Sequence, residues 1–239
     1  MITVDFKRLN LRPGEKILDM GCGSGRHTGE ASRFKGVTVI GADMNFDDLL
    51  ETRNRLNFIK NCGEHGGGKR GMSAADITAL PFKNNSFHHV ICSEVLEHIP
   101  DDSKAAGELI RVIKPGGSLV ISVPRFIPEK ICWALSKEYY NANGGHVRIY
   151  KKKTISSLFE NKGLIKRGSH YAHSLHAPYW WLKCLVGPSR NDSLPVNLYH
   201  RMLTWDIMEK PKLTRSIDRL LNPVLGKSLV LYFRKGNKN

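Results

Sequence analysis

The sequence predicts an α/β fold, a doubly wound sheet in which most strands run parallel. Three observations predict it: strand-like apolar segments alternate with helical patterns, turns rich in glycine and proline separate them, and a glycine-rich turn follows the first strand. The chain has 239 residues, which is enough for one α/β domain with a large core. We therefore expect a single domain over residues 1–239.

The predicted elements follow one another in a regular order. Strands are expected over residues 16–20, 37–42, 71–75, 88–93, 117–123, 164–171 and 228–235. Helices are expected over residues 25–34, 46–62, 102–113 and 153–162. Turns are expected at residues 13–14, 66–68 and 115–117, and Asp101 is a natural helix cap. This alternation is why the sheet is expected to be mostly parallel.

The turn after the first strand is the most informative segment of the sequence. Residues 16–20 form the strand, and residues 21–25, with three glycines, form the turn. The next strand ends on Asp43, eighteen residues after Gly25. Open α/β sheets hold an adenosine in this arrangement, because a carboxylate at the second strand end accepts hydrogen bonds from the ribose. A nucleoside-type ligand is therefore the leading hypothesis.

The glycine spacing indicates which nucleoside ligand is expected. Dinucleotide folds use G-x-G-x-x-G, whereas Gly21, Gly23 and Gly25 alternate with single residues. Asp19 precedes the turn, and its carboxylate would repel a pyrophosphate but pair with an ammonium group. S-adenosylmethionine (SAM) carries such an ammonium, and Asp43 is placed to accept both ribose hydroxyls. A tight turn without any ligand is the alternative interpretation.

Further motifs give the chain a resemblance to the class I SAM-dependent methyltransferases of the type 11 family. They are Ala75-Asp76-Ile77 with Leu80-Pro81-Phe82, then Ser93-Glu94-Val95-Leu96-Glu97-His98-Ile99, then residues 109–123 with Lys114-Pro115-Gly116-Gly117. The resemblance covers residues 12–170 and implies a Rossmann-like sheet of seven strands with the last one antiparallel. His88 stands where this family often has Asp.

The resemblance also implies which residues bind the cofactor SAM. Asp76 would meet the adenine amino group, Ile77 the adenine ring, and Ser93 the methionyl part. The expected cofactor-binding residues are Asp19, Gly21, Cys22, Gly23, Gly25, Asp43, Met44, Asp76, Ile77 and Ser93. Cys22 is expected to be a small buried side chain rather than a nucleophile.

Candidate catalytic residues follow the fourth predicted strand. Glu94, Glu97 and His98 are expected on one face of a helical turn at the cofactor edge. Together with His146 they offer two carboxylates and two imidazoles, a set suited to Mg²⁺, Mn²⁺ or Zn²⁺. The set is similar to one in the ubiquinone-pathway O-methyltransferases and the small-RNA 3′-terminal 2′-O-methyltransferases, where a metal draws acceptor hydroxyls together.

Two alternatives to a metal site remain open for these residues. In one, His98 is a metal-free base or a group that orients the substrate, with Glu94 and His146 beside it. In the other, the Glu and His side chains only brace the loop. His170, His173 and His176 are the next candidates along the chain, and the alternative for them is a solvated loop.

The two parts of the chain differ in charge. Residues 1–100 contain 13 Lys and Arg against 12 Asp and Glu, whereas residues 101–239 contain 24 against 10. In the class I architecture the later part faces the substrate, so an anionic partner is expected: a nucleic acid, an anionic membrane surface, or a phosphorylated or carboxylated molecule. Basic side chains that only keep the surface soluble are the alternative.

Two segments exceed the minimal fold and are expected to form a lid on the substrate side. They are residues 124–150 and residues 172–227, and the second contains Trp180, Trp181 and Trp205 in amphipathic helical patterns. Aromatic side chains beside a basic surface suit an apolar pocket, a membrane interface or stacking on unpaired bases. Helices that only pack on the sheet are the alternative.

The preferred interpretation is a cytoplasmic SAM-dependent methyltransferase, with peripheral contact to an anionic membrane surface as an option. Five dispersed cysteines and the lack of a long apolar run fit this compartment. The expected acceptor is a small-molecule or lipid-like compound, anionic or apolar, methylated at oxygen or carbon. An RNA methyltransferase is the second interpretation, and a non-catalytic cofactor-binding subunit is the third. The oligomeric state does not follow from the sequence.

Overall fold

The computed structural model describes residues 1–142 and 144–237, and a seven-stranded sheet forms its centre. The strands are β1 Lys16–Met20, β2 Thr38–Asp43, β3 Arg70–Ala74, β4 Phe87–Ser93, β5 Ile113–Pro124, β6 Leu164–Ala172 and β7 Ser228–Lys235. Their order across the sheet is β3-β2-β1-β4-β5-β7-β6. All neighbours from β3 to β5 pair in parallel, and β7 pairs antiparallel with both β5 and β6. The predicted α/β class, with an antiparallel last strand, is confirmed.

Helices cover both faces of the sheet. They are α1 Arg26–Ser32, α2 Phe46–Asn61, α3 Asp102–Val112, α4 Phe126–Leu135, α5 Lys137–Tyr140, α6 Lys152–Glu160, α7 His176–Val186, α8 Leu194–Glu209 and α9 Lys212–Leu225. Short 3₁₀ turns lie at Phe6–Leu9 and Leu96–His98. None of the helices in the described part of the chain combines the length and the apolar composition needed to cross a membrane.

Alternate residues of each strand point to opposite faces and build two apolar layers. On β1, Leu18 and Met20 belong to a cluster with Leu109 of α3 and Phe159 of α6. Ile17, in contrast, joins a cluster with Phe6 on the opposite face. Because both faces are covered, the central strands contain few polar residues. A buried side chain of this size contributes about 1.5–3 kcal/mol, so these layers hold the carboxyl ends of the strands in place.

One strand differs from the prediction at its beginning. The turn expected at residues 115–117 lies inside β5, which begins at Ile113. Phe87 pairs with Ile113 and His89 pairs with Ser118, so the register shifts between them. Pro115 cannot donate to the ladder and Gly116 has a φ of +72°, which together produce a bulge rather than a break.

The two segments beyond the minimal fold are mainly helical. Residues 124–150 contain α4 and α5, and residue 143 within them lies outside the described residues. Residues 172–227 contain α7, α8 and α9. The segments meet at α4 and α7, which pack against each other. Both segments follow strands that end at the same edge of the sheet as β1 and β4.

Candidate functional site

A cleft of about 260 Å³ lies at the carboxyl ends of β1, β2 and β4. Ligands of open α/β sheets bind at this position, where the strand order reverses beside β1. The lining residues are Met20, Gly21, Asp43, Met44, Ile77, Glu94, Val95, His98 and Ile99. Among them are four predicted cofactor-binding residues, Gly21, Asp43, Met44 and Ile77, and two predicted catalytic residues, Glu94 and His98.

The glycine turn is held against the neighbouring strand end. Gly21 has a φ of +72°, in the left-handed region, and a Cβ added there would lie 2.2 Å from Val95 Cγ2. The N–H groups of Gly21 and Cys22 donate to the Ala42 carbonyl at 2.7 and 3.0 Å. At Gly23 an added Cβ would meet no described atom within 4 Å. The turn is therefore packed tightly on one side and leaves room for another molecule at Gly23.

Asp43 connects the turn to the next helix. Its Oδ2 accepts a hydrogen bond from the Gly23 N–H at 2.9 Å, and its Oδ1 accepts one from the Asn45 N–H at 3.0 Å. Asn45 caps α2 by accepting from the Asp47 N–H. Each carboxylate oxygen can accept a second hydrogen bond, and Asp43 lines the cleft. The carboxylate can thus fix the turn and still accept two donors from a ligand.

Asp19 is fully buried beneath the turn. Its Oδ2 accepts from the Thr28 N–H at 2.9 Å and from the Thr28 hydroxyl at 2.6 Å. Within the described residues, its Oδ1 has no hydrogen-bond partner. Burial raises the pKa of Asp19 to about 6, against the lowering effect of the Thr28 hydrogen bonds. An unpaired buried carboxylate oxygen of this kind is suited to a cationic group of a ligand.

The other predicted cofactor-binding residues do not line the cleft. Burial raises the pKa of Cys22 to about 12, so its thiol stays protonated. Asp76 is exposed, and its Oδ1 accepts from the Thr78 N–H and hydroxyl at 2.7 and 2.9 Å. The hydroxyls of Ser93 and Ser122 lie 2.7 Å apart. The roles of Asp76 and Ser93 toward the cofactor stay predictions.

Glu94 lies apart from the helical turn that was expected to contain it. The turn covers only Leu96–His98, and Glu94 precedes it with a φ of +58°, an uncommon conformation for a residue with a side chain. Glu94 Oε1 accepts from the Ser122 hydroxyl at 2.9 Å, and the Glu94 N–H donates to the Ser122 carbonyl. Glu94 thus lies in the cleft wall, outside the turn that contains Glu97 and His98.

Glu97, His98 and His146 form a compact group beside the cleft. One potential ligand atom from each residue lies within 4.8 Å of the other two, so the three residues could hold a metal ion together. Glu97 is only 1% exposed, and in the described part of the chain neither of its carboxylate oxygens has a hydrogen-bond partner. Burial, and then the charge of Glu94, raise the pKa of Glu97 well above its ordinary value.

Both imidazoles of this group are oriented through Nδ1. His98 Nδ1 lies 3.2 Å from the Gly145 carbonyl, and His146 Nδ1 lies 2.6 Å from Glu129 Oε1. A carbonyl only accepts, so His98 Nδ1 carries the proton and Nε2 keeps its lone pair. The same donation from His146 to the Glu129 carboxylate leaves its Nε2 free. Metal-binding histidines are commonly oriented in this way.

Glu129 was not among the residues predicted from the sequence. It is buried on α4, and it lies seventeen residues before His146, in no recognisable motif with it. The sequence did contain one signal, because Glu129 is the single carboxylate of α4, a helix that is apolar apart from Glu129 and Lys130. A charged group on such a helix needs a buried partner.

The three later histidines do not join this group. His170, His173 and His176 lie near the amino-terminal segment, where His173 Nε2 is 3.2 Å from Thr3 Oγ1. Burial lowers the pKa of His176 to about 4 and that of His173 well below its ordinary value. Both are therefore neutral packing residues near pH 7.

Two of the tryptophans connect the later helices to His146. Trp180 is half-buried, with its ring 5.9 Å from Tyr139 and the Lys227 ammonium 4.6 Å from its centroid. Trp181 Nε1 donates to the Pro128 carbonyl at 3.1 Å. Tyr139 in turn lies edge-on to His146, with centroids 6.3 Å apart. These rings form an aromatic wall from α7 to the Glu97–His98–His146 group.

Comparison with known proteins gives several methyltransferases among the relatives. Residues 18–121 match the family model of a methyltransferase domain. Methyltransferase GfsG of Streptomyces halstedii is 32% identical over 117 residues, which cover 49% of this chain and 40% of that protein. Sterol 24-C-methyltransferase of Yarrowia lipolytica is 28% identical over 169 residues, covering 65% and 41%. UbiE of Pasteurella multocida, a ubiquinone/menaquinone biosynthesis C-methyltransferase, is 38% identical over 121 residues, covering 50% and 42%.

Solved structures share the fold over nearly the whole chain. A SAM-dependent methyltransferase from Methanosarcina mazei has a TM-score of 0.62 at 16% identity, covering 99% of this chain and 100% of that one. The [4+2]-cyclase SpnF has a TM-score of 0.63 at 16% identity, covering 98% and 78%. These identities show the fold alone, and the cyclase illustrates that one fold carries different reactions. The chain spans about two fifths of the length of the curated relatives it matches.

The strand order and the glycine turn between Asp19 and Asp43 define a Rossmann-like fold of the class I methyltransferase kind. Residues 18–121 of this chain match a methyltransferase domain, and the methyltransferase relatives are similar to half of the chain or more. The predicted family and its cofactor, SAM, are thus confirmed.

Proposed function

We propose that this protein transfers a methyl group from SAM to an oxygen or carbon of a small, lipid-like acceptor. The observation that carries the proposal is the shared boundary of two sites. The cleft formed by the glycine turn, Asp43 and Ile77 ends at Glu94 and His98, and His98 also belongs to the group with Glu97 and His146. A donor in the cleft would therefore meet groups that can act on an acceptor.

The residues of the cleft fit the polar and apolar parts of SAM. The unpaired Oδ1 of Asp19 would face the ammonium, and Asp43 would accept the ribose hydroxyls. Met44 and Ile77 supply the apolar surfaces that an adenine ring requires. Asp76 at the adenine amino group, Ser93 near the methionyl part, and the backbone of Gly23 complete the proposed contacts.

SAM supplies a methyl group that its sulfonium has already activated, so the protein mainly has to position the acceptor. Holding two reactants in line lowers the free-energy barrier of a reaction by about 7–11 kcal/mol. An acceptor hydroxyl must also lose its proton, and in a site without a metal His98 Nε2 is the available base, because Nδ1 is occupied by the Gly145 carbonyl. The Glu97 carboxyl, buried and without a partner among the described residues, lies beside that imidazole.

The proposal includes a divalent metal held by Glu97, His98 and His146. The two Nε2 lone pairs and the unpartnered Glu97 oxygens make a donor set of nitrogen and oxygen, which suits Zn²⁺, Mn²⁺ or Mg²⁺. Such an ion would lower the pKa of an acceptor hydroxyl. Glu94 was predicted as a fourth ligand; we leave it out of the proposed set because it accepts a hydrogen bond from the Ser122 hydroxyl and lies outside the compact group.

The metal is tested by binding rather than by activity. Titration of metal-free protein with Mn²⁺ or Zn²⁺ in a calorimeter is expected to give one site, and Glu97→Gln should weaken it about 10–100-fold. Glu138→Gln, an exposed carboxylate on α5, is the matched control and should bind like the wild type. If no site is found and methyl transfer survives a chelator, His98 acts as a metal-free base.

The size and apolarity of the acceptor are inferred from the helical segments. Residues 124–150 and 172–227 carry the aromatic wall of Tyr139, Trp180 and Trp181 next to His146, and we propose that they form a lid on the substrate side. Aromatic and aliphatic walls with few polar groups are typical of pockets for apolar ligands. The names of two relatives, a sterol 24-C-methyltransferase and a ubiquinone/menaquinone biosynthesis C-methyltransferase, refer to apolar compounds of this kind.

RNA is the second candidate acceptor, favoured by the 24 Lys and Arg in residues 101–239. One assay distinguishes the two. Protein is incubated with methyl-tritiated SAM and either a lipid extract or total RNA, and label is counted in the organic phase and in the RNA precipitate. Label in the organic phase that Asp43→Ala abolishes supports the lipid-like acceptor. Label found only in the RNA precipitate would mean that RNA is the acceptor instead of a lipid-like compound. Label in neither fraction would favour a non-catalytic cofactor-binding subunit.

A further inference from the structure

Helix α9 carries an apolar stripe on its outer side. Leu213, Ile217, Leu220 and Val224 follow one another at spacings of four, three and four residues, so they share one face of the helix. Three of them, Leu213, Leu220 and Val224, are 70–77% exposed. None of the fourteen residues of α9, all within the described part of the chain, is fully buried. A stripe of this kind on the surface of a protein indicates a binding partner.

The preceding helix, α8, has a second exposed stripe. Leu194, Leu198, Trp205 and Met208 lie on one face at spacings of four, seven and three residues. Trp205 is 49% exposed, in contrast to the half-buried Trp180 and Trp181. Two neighbouring helices of one insertion thus present their large apolar side chains outward.

Basic residues border the stripe of α9. Lys212, Arg215 and Arg219 are exposed and lie at spacings of three and four residues on an adjacent face. The single acid of α9, Asp218, points inward, where its Oδ1 accepts from the Ser174 hydroxyl at 2.8 Å. The exposed surface of α9 is therefore apolar and positively charged, with its negative charge turned away.

We propose that α8 and α9 dock this protein on an anionic lipid bilayer, with the α9 stripe inserted among the acyl chains. Helices that lie in a membrane interface combine an apolar face with Lys and Arg, which attract anionic headgroups. Both properties coincide on α9, and the charge of residues 101–239 has the same sign. This docking rests on the proposed function: the anionic bilayer would be the surface from which the proposed lipid-like acceptor comes.

A cavity of about 940 Å³ lies directly beside this surface. Met208 of the α8 stripe and Arg215 of α9 form part of its wall, and Phe6 and Arg26 line it on the side of the sheet. Arg26 is the first residue of α1, which follows the glycine turn. The cavity therefore extends from the proposed docking surface to the amino-terminal end of α1.

Co-sedimentation with vesicles tests the proposal without requiring methyl transfer. The full chain is expected to pellet with vesicles of phosphatidylcholine and phosphatidylserine and to stay in solution with phosphatidylcholine alone. Replacing two stripe residues, Leu213→Ser with Leu220→Ser, should weaken retention about tenfold or more. Phe58→Ser on α2, where the ring is 68% exposed, is the matched control and should pellet like the wild type. Equal retention of the stripe variant would overturn the proposal.

Charge reversal and tryptophan fluorescence make the test specific to α8 and α9. Lys212→Glu with Arg219→Glu should reduce retention on anionic vesicles about fivefold for each charge lost, whereas Lys35→Glu with Lys60→Glu should not. Trp205 emission should shift to shorter wavelength on anionic vesicles, and Trp205→Phe should remove that shift. Equal losses from both charge reversals would mean that only net charge matters and would contradict docking through α9.

Two other occupants of the surface would give different outcomes. A second copy of the chain would appear as a dimer in light scattering. The double variant Leu213→Ser with Leu220→Ser would dissociate that dimer, and the wild type would not be retained on vesicles. RNA would be retained with a steep salt dependence that Lys212→Glu with Arg219→Glu removes, while vesicles are not bound. Either result overturns the lipid surface. Methyl transfer to a detergent-dispersed lipid extract, measured in parallel, would show whether the proposed function fails as well.

Discussion

Residues 1–100 and residues 101–239 contribute in different ways to this protein. The first part is close to neutral, with 13 basic and 12 acidic residues, and its polar groups converge on a cleft at the strand ends. The second part has 24 basic and 10 acidic residues, and its helices leave large apolar side chains exposed. We attribute this difference in charge and exposed apolar surface to the proposed ligands. Residues 1–100 fit a small cofactor of fixed shape, and residues 101–239 are proposed to meet an extended surface.

The two parts also differ in how their positions are constrained. In the cleft, Asp43 and the N–H groups of the turn are fixed by hydrogen bonds of 2.7–3.0 Å, so small changes should have large effects. On α9 the stripe makes no such bonds, and its contribution is the sum of several apolar side chains. Mutations should therefore act sharply in the first part and gradually in the second.

Gly21→Ala should have the largest effect. The new Cβ would lie 2.2 Å from Val95 Cγ2 at a φ of +72°, so the turn must move away from the cleft. We expect affinity for S-adenosylhomocysteine to fall more than a hundredfold and the free energy of unfolding to fall by about 2–4 kcal/mol. Calorimetry and urea denaturation measure the two quantities.

Gly107→Ala on α3 is the control for that substitution. An added Cβ there meets no described atom within 4 Å, and alanine favours helix, so stability should rise by about 0.5–1 kcal/mol. Adding Val95→Ala to Gly21→Ala should restore part of the lost affinity, because the clashing methyl is removed. Full affinity of Gly21→Ala alone would mean that the turn does not form the cleft wall.

Asp43→Asn is expected to be next in size. The amide loses the charge that accepts from the ribose and from the Gly23 N–H, so affinity for S-adenosylhomocysteine should fall about 10–100-fold. The far-ultraviolet circular dichroism should be unchanged. Asp47→Asn, an exposed acid in the first turn of α2, should bind normally. An unaltered dissociation constant for Asp43→Asn would place the ribose elsewhere.

Asp19 should make cofactor binding depend on pH. Its pKa of about 6 in the folded protein means that the carboxyl ionises, and pairs with the ammonium, as the pH rises through that value. Affinity for S-adenosylhomocysteine should rise about tenfold between about pH 5 and about pH 7. Asp19→Asn should bind more weakly and show a much smaller rise. A flat profile of the wild type would contradict this pairing.

In the protein without cofactor, the raised pKa of Asp19 makes stability change with pH in the opposite direction to cofactor affinity. Below about pH 4 the Asp19 carboxyl is neutral in both the folded and the unfolded states. Between about pH 4 and pH 6 the folded protein keeps a proton that the unfolded chain has lost, so stability falls as the pH rises, by about 3 kcal/mol. Urea denaturation of wild type and Asp19→Asn, compared across this window, isolates the contribution.

The smallest effect should be seen by hydrogen exchange. Amides of α9, which has no fully buried residue in the described chain, should exchange before those of β1 and β4. Anionic vesicles should slow exchange in α9 and leave β1 unchanged. Slowing confined to β1, or none at all, would argue against a surface role for α9.

The sequence predicted the structure of residues 1–100 more completely than the packing of residues 101–239. The seven strands, the glycine turn and Asp43 follow from local patterns, because apolar strands and positive-φ glycines have strong local signatures. Glu129 could not be placed beside His146, since that contact depends on how α4 packs. Glu94 was expected on a helical turn with Glu97, but with its left-handed backbone it lies at the strand end, before the turn Leu96–His98 begins.

The tryptophans show the same limit. Trp180, Trp181 and Trp205 fall in one segment of the sequence, but α7 packs on α4 and buries the first two in part, while α8 leaves Trp205 exposed. Helical periodicity fixes which residues share a face, whereas only tertiary packing decides which face meets water. The α9 stripe was therefore visible as a pattern but not as a surface.

Binding of SAM in the cleft formed by the glycine turn and Asp43, with Asp19 buried beneath the turn, is the central claim about this protein. Calorimetric titration of the full chain with S-adenosylhomocysteine, and separately with NAD, tests this binding directly. We predict heat and a single site with S-adenosylhomocysteine, lost in Gly21→Ala, and no heat with NAD. Heat with NAD and none with S-adenosylhomocysteine would contradict SAM binding in the cleft.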